Sequence, residues 1–255
     1  MAQVHESGRP VSRVRSGARC LVAVLLALTA ACRAPPPARA PSGAPARAAR
    51  PAGATEYRVD AKGSQLWLYV HAAGPMVKLG HSHVISTHAL RGSAWIPAQI
   101  DHSTCEFELP VAAFEIDNPE ERSAAGGEFA EPLDEAARAG TREHMLGDRQ
   151  LDATHYPLLT LLCQQVSVSP DGLLLQLAVS VRDHDARLAV PVHWQRDGCT
   201  LQASGEFTFR QSDLGIEPYN LLLGVLRVDD EIRARFQLLL QCRPVPTGQG
   251  LSTGP

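Results

Sequence analysis

Ser64-Gln-Leu-Trp-Leu-Tyr-Val-His71 is the stretch whose reading decides the fold. Successive side chains of an extended chain point to opposite sides, so Leu66, Leu68 and Val70 share one face and Trp67, Tyr69 and His71 the other. Working outward, the same period of two returns at Cys105, Phe107 and Leu109, set against Glu106 and Glu108. It returns again at Leu173, Leu175, Leu177 and Val179, and at Val190 and Val192. Phe207 and Phe209, flanked by Glu206, Thr208 and Arg210, continue it, and residues 225–240 close the series. Pro170-Asp-Gly172 and Arg196-Asp-Gly198 are turn formers between these runs. The pattern predicts an all-β barrel or sandwich of antiparallel strands. One region is contrary. Residues 127–146, with Glu131, Glu135, Ala136, Ala137 and Arg138, read as helix or loop. Trp67, Tyr69 and Trp95 either cover the outer side of the sheet or mark a bulge that changes its phase.

The ends of the chain read differently. Arg9, Arg13, Arg15 and Arg19 precede an apolar run of about eleven residues from Leu21 that ends in Thr29-Ala30-Ala31-Cys32. That run is too short for a helix across ~30 Å of hydrocarbon and has the grammar of a signal peptide over 1–31. Cys32 sits where a bacterial lipobox places its acylated cysteine, with Thr29 in place of the usual leucine; ordinary cleavage near Ala31 is the alternative. Residues 32–54 are rich in Pro, Ala and Arg and read as a disordered tether, and 244–255 as a disordered tail. The folded domain is therefore expected over 55–243, and the protein in the bacterial envelope, held to a membrane through an N-terminal lipid.

Whole-chain charge is −3, but eight arginines and only one acid precede residue 55. The remainder holds sixteen basic and twenty-six acidic residues, formally −10. Such a domain argues against nucleic acid or an anionic lipid surface as partner, although a cleft can differ locally. Cys105, Cys163, Cys199 and Cys242 are spaced unlike a metal cluster and suit disulfides in an oxidising compartment. If the strands around 200–210 and 227–241 pair antiparallel, residue 199 lies opposite about 241. A Cys199–Cys242 bridge is then expected, with Cys105 as a buried free thiol.

Gly80-His81-Ser82-His83 is the chemical anomaly. In a strand the two imidazoles would face one site. They could seed a zinc site, which takes three or four ligands, with His184, His102 or His144 as the third and Asp183 or Asp185 as a carboxylate. They could equally clamp a polar head group or hydrogen-bond within the structure. Asp183-His184-Asp185 is a candidate for a solvated turn, and no Gly-x-Ser-x-Gly elbow accompanies it. An enzyme is not expected.

Several segments together resemble the YceI-like, polyisoprenoid-binding family of bacterial exported proteins. They are Tyr57-Arg-Val-Asp60, Ser64-Gln-Leu-Trp-Leu-Tyr-Val70, Met145-Leu-Gly-Asp-Arg-Gln-Leu-Asp-Ala-Thr-His-Tyr-Pro157 and Gly205-Glu-Phe-Thr-Phe-Arg-Gln-Ser-Asp-Leu-Gly-Ile216. The closing segment from Gly224 to Leu240 follows. Leu214 replaces a phenylalanine, the Gly-His-x-His segment resembles a divergent branch, and Leu177-Ala-Val-Ser-Val-Arg-Asp-His184 is an eroded form of the family's central strand. The resemblance implies a lipocalin-like antiparallel β-barrel. The inserted helical or loop segment over 116–147 either closes one end of it or is a surface excursion that protects a sheet edge, with Phe129 and Leu133 as docking residues in either case. The resemblance also implies an isoprenoid quinone or polyprenyl lipid as ligand, although a fatty or other amphipathic lipid satisfies the same physics.

A chain entering an apolar bore gains roughly 0.8 kcal/mol per buried methylene. The expected lining is Leu66, Leu68, Val70, Phe107, Leu109, Leu175, Leu177, Phe207 and Phe209, with His81 and His83 at the mouth. Two other functions stay open: a metal- or haem-associated periplasmic protein using His81 and His83, and a structural or stress-related interaction module whose barrel is filled. No protein partner is indicated.

Overall fold

The computed structural model describes residues 49–242 apart from Leu222 and Gly224. The expected signal peptide over 1–31, Cys32, most of the tether and the tail over 244–255 lie outside the described residues. Fourteen elements follow in order. Six short strands come first: β1 (Thr55–Val59), β2 (Gln65–Ala73), β3 (His83–Thr87), β4 (Arg91–Ile96), β5 (Thr104–Pro110) and β6 (Glu115–Ile116). Two helices, α1 (Pro119–Ala125) and α2 (Glu135–Leu146), make the insertion. Long strands then dominate: β7 (Leu158–Ser169), β8 (Gly172–Val181), β9 (His184–Asp197), β10 (Thr200–Arg210), the short β11 (Asn220–Leu221) and β12 (Leu226–Cys242).

Pairing runs β1-β4-β5-β7-β8-β9-β10-β12, and β12 returns to β1, so the sheet closes into an antiparallel barrel of eight strands. β2, β3 and β6 extend it: β12 also pairs β2, β2 pairs β3, and β3 pairs β6. Three staves are thus broken in two, as β1/β2, β3/β4 and β5/β6. The breaks at residues 60–64, 88–90 and 111–114 lie side by side and crease one wall. Polar side chains stitch that crease. Ser64 is buried; its Oγ donates to Leu239 O and accepts from Leu239 N, while His88 Nδ1 lies 2.7 Å from Ser64 O. Thr87 Oγ1 donates to Ala113 O at 3.1 Å. Gly92 has φ 129°, and a Cβ there would stand 2.1 Å from Glu106 O, so only glycine fits where β4 sets out from the crease along β5.

Register fixes which residues line the bore. Val70 pairs His83, Leu68 pairs Ile85, and Ala234 pairs Leu68, so these side chains face inward together. Trp67 and Tyr69 therefore point outward with no change of phase. Arg233 lies over the Tyr69 ring at 4.3 Å and Arg235 over Trp67 at 5.5 Å. Trp95 is outward too, under Arg50.

Two disulfides flank the lower end, defined as the end away from the insertion. Cys199 and Cys242 are bonded with Cα atoms 4.8 Å apart, where Thr200 pairs Gln241. Cys105 is not a free thiol. It is bonded to Cys163, its direct partner across β5 and β7, and both cysteines are buried. Inward alternation was visible for Cys105, but its facing residue on β7 depends on a register that skips the whole insertion.

Candidate functional site

Two cavities lie one above the other inside the barrel. The lower has a volume of about 170 Å³ and is lined by Phe107, Cys105, Leu175, Trp194 and Leu240 among others. The upper, of about 300 Å³, is lined by Leu68, Val70, His83, Phe209 and Ile232 among others. Leu66, Leu109, Leu161, Leu177 and Phe207 line both, so the two chambers share a wall midway along the bore. All nine apolar residues expected at the lining face one chamber or both.

Polar groups gather at the upper end. His83, Thr141, His144, Gln150, Gln211 and Tyr219 are all part of the upper lining. Thr141 and His144 come from α2, which caps this end; Asp134 starts the helix by accepting from Ala137 N at 2.8 Å. The His144 ring stacks on Tyr219 with centroids 4.7 Å apart. Neither His144, a possible metal ligand by residue type, nor Tyr219 lies on a period-two run, so no local pattern marks them as lining.

His83 is the best-held polar group. Its Nδ1 lies 2.7 Å from Asp117 Oδ2. The other carboxylate oxygen accepts from Val84 N at 2.9 Å and from Arg122 Nη1 at 2.6 Å. Arg122, 2% exposed, also donates to Ser82 O and Glu131 O, which ties α1 to the start of β3. Burial alone opposes ionisation of Asp117. The hydrogen bond and charge of His83, the Val84 amide and Arg122 outweigh it, and the carboxyl pKa falls below its ordinary value. An ionised carboxylate only accepts, so the hydrogen between the two groups sits on His83 Nδ1. Nε2 is then left for the cavity.

His81 does not join this site. The strand begins at His83, so residues 80–82 are not extended in sheet register and the i, i+2 rule does not apply. His81 is exposed. Ser82, between the two histidines, is buried; its Oγ accepts from Ala72 N and hydrogen-bonds Glu128, whose other oxygen lies 2.9 Å from His71 Nδ1. His184 stands at the β8–β9 turn, with Nε2 3.1 Å from Asp213 O. Among the described residues, no three His, Cys, Asp or Glu side chains are grouped to hold a metal ion. His81, His83 and His184 are thus not gathered at one point.

No family model matches the chain, and no curated protein does. Solved structures do. BcnA of Burkholderia cenocepacia aligns over 71% of this chain and 98% of its own, with 14% identity and a TM-score of 0.50. The fold is a lipocalin- and YceI-like barrel. A polyisoprenoid binding domain from Saccharophagus degradans, implicated in plant cell wall breakdown, aligns over 73% of this chain and 98% of its own at 10% identity and a TM-score of 0.49. The YCEI protein of Campylobacter jejuni covers 56% of this chain and 73% of its own, with 10% identity and a TM-score of 0.38. In this chain the His83–Asp117–Arg122 assembly joins the bore of the barrel to the insertion.

Proposed function

We propose that this barrel binds and carries an amphipathic lipid, with its apolar chain in the stacked chambers and its polar head beside His83 at the upper end. The observation that carries the reading is the pair of apolar cavities with a shared wall. An apolar chain leaving water for such a bore is driven by roughly 0.8 kcal/mol per methylene. The chambers together sit near the low end of the ~300–1,000 Å³ typical of ligand sites. A short chain fits whole, and a long one fits in part. An isoprenoid quinone, polyprenyl lipid or fatty acid each has the needed division into apolar tail and polar head. His83 Nε2 accepts from a head-group hydroxyl when the ring is neutral and donates to a carbonyl or carboxylate when it is protonated.

The reading extends to the chain ends: residues 1–31 as an export signal, Cys32 as the acylated anchor and 32–54 as the tether. Metabolic labelling with an alkynyl fatty acid, expected to be abolished in Cys32→Ser, tests that part separately.

Native mass spectrometry of purified protein, followed by organic extraction, tests the ligand. A co-purifying lipid is expected, reduced by Leu68→Trp or Phe207→Trp, which fill the bore. Replacing His83 by Phe keeps the apolar lining and removes the head contact, so lipid affinity is expected to drop about 3- to 10-fold, the worth of one hydrogen bond. Protein that carries no lipid and takes up none from added quinone, polyprenol or fatty acid would leave the barrel without this function.

A further inference from the structure

Most of the large aliphatic side chains that the described residues leave in water stand on two adjoining loops. Met76, Val77 and Leu79 project from the loop between β2 and β3, and Leu221 and Leu223 from the segment between Tyr219 and β12. Leu79 is 66% exposed and Leu223 fully so. The loops are joined: Met76 N donates to Val225 O at 3.0 Å, and Gly80 packs against Leu226 so closely that a Cβ would meet its Cδ1 at 2.7 Å. Both loops leave from and return to the upper chamber. Val70 and His83 bracket the first and Tyr219 and Val228 the second, and all four line that chamber.

Charge on this rim differs from the rest of the domain. Residues 70–83 and 218–228 contain no Asp or Glu, although the domain from residue 55 onward carries twenty-six. Their formal charges are Lys78 and Arg227. Acids stand only at the edges of the rim: Glu128 is taken up by His71 and Ser82 and Asp230 by Ser212, while Glu217, Asp229 and Glu231 border the second loop on its barrel side. Exposed aliphatic side chains beside two long cations suit a layer with apolar depth and surface phosphates.

We propose that this rim docks on a phospholipid bilayer, with Met76, Leu79, Leu221 and Leu223 entering the acyl boundary and Lys78 and Arg227 meeting phosphates. The acidic body of the domain then faces away from the membrane. The contact rests on the lipid-carrying reading for its purpose: it places the chamber mouth against the source or destination of the lipid.

Full-length protein carrying Leu79→Trp or Leu223→Trp is mixed with phosphatidylethanolamine–phosphatidylglycerol vesicles whose acyl chains are brominated. Val168→Trp, on the β7–β8 hairpin at the lower end and 65% exposed in the parent, is the control. All three share the same N-terminus, so an anchor alone acts equally on each. Loss of the added tryptophan emission at 79 and 223, with none at 168, is the expected result. Equal loss at all three sites, or none at the rim, overturns the proposal. Self-association in sedimentation that Leu79→Asp abolishes, without quenching, overturns it in favour of a second copy on this face. Native mass spectrometry of the same variants separates the two readings. Lipid retained without quenching removes docking and leaves carriage standing, whereas quenching of lipid-free protein does the reverse.

Discussion

Asp117 is the residue on which the upper end depends. It has φ 53°, a left-handed conformation that Asp and Asn tolerate better than most side chains. From there its two oxygens serve His83, Val84 and Arg122 at once. Asp117→Asn keeps the backbone preference and removes the charge, leaving the Arg122 guanidinium buried without its counter-ion. A loss of about 3–5 kcal/mol in urea denaturation at neutral pH is expected. The pH dependence has a definite sign. Folding lowers the Asp117 pKa from an ordinary 3.8, so its contribution is whole above that value and is lost as pH falls below it through the folded pKa. Glu56, Glu128 and Asp230 shift in the same direction. The test is therefore the difference between wild type and variant, which should narrow as urea melts are taken from pH 7 into acid. His83 was conspicuous in the sequence beside Gly80, but its partner was not. Asp117 lies 34 positions away in a stretch with no strand period, and only the β3–β6 pairing brings it close.

Among the elements, the long strands were legible because a period of two is written locally. β8, β10 and β12 carry it nearly unbroken. The crease in the first three staves was legible only as separate breaks, at Asp60 and Gly63, before Gly92 and after Pro110; that the three lie side by side answers to contacts with Leu239 and Ala113 that no local pattern shows. The insertion was half legible. Residues 127–146 read as helix or loop and hold α2, but α1 begins earlier, where Asn118 accepts from Glu120 N and Glu121 N ahead of Pro119 at the first turn. Asn-Pro-Glu-Glu was a readable start signal. Phe129 pins this excursion to the outer wall, edge-on to Tyr69 with ring centroids 5.6 Å apart, while Leu133 is only half-buried. Phe129→Ala is expected to cost about 3–5 kcal/mol. The loss should show as faster hydrogen exchange over 117–147 before the barrel strands respond. Replacing Cys199 and Cys242 by Ala opens a link between residues 43 apart and should lower stability by about 4 kcal/mol, read in chemical denaturation under non-reducing conditions.

At the scale of the whole molecule, the nine apolar positions came from alternation alone, and closure of the sheet turned one face of each strand toward a single interior. The division of that interior into two chambers was beyond the sequence, since it depends on how side chains from eight staves meet at mid-height. An occupied bore should be a more stable one. Lipid at about a hundred times its dissociation constant adds about 2.7 kcal/mol, or roughly 5–10 °C in melting temperature for a domain of this size. Solvent-extracted and reloaded protein, compared by calorimetry, checks this. The two covalent links have a further consequence through their position. Cys105 and Cys163 line the lower chamber, and Cys199–Cys242 ties the β9–β10 turn to the end of β12. Among the described residues, the upper end has no such link and is held by hydrogen bonds, one buried charge cluster and a capping helix. Thermal opening should therefore start at the mouth and stop short of the base, letting cargo be exchanged by partial loosening while the vessel that holds it stays folded.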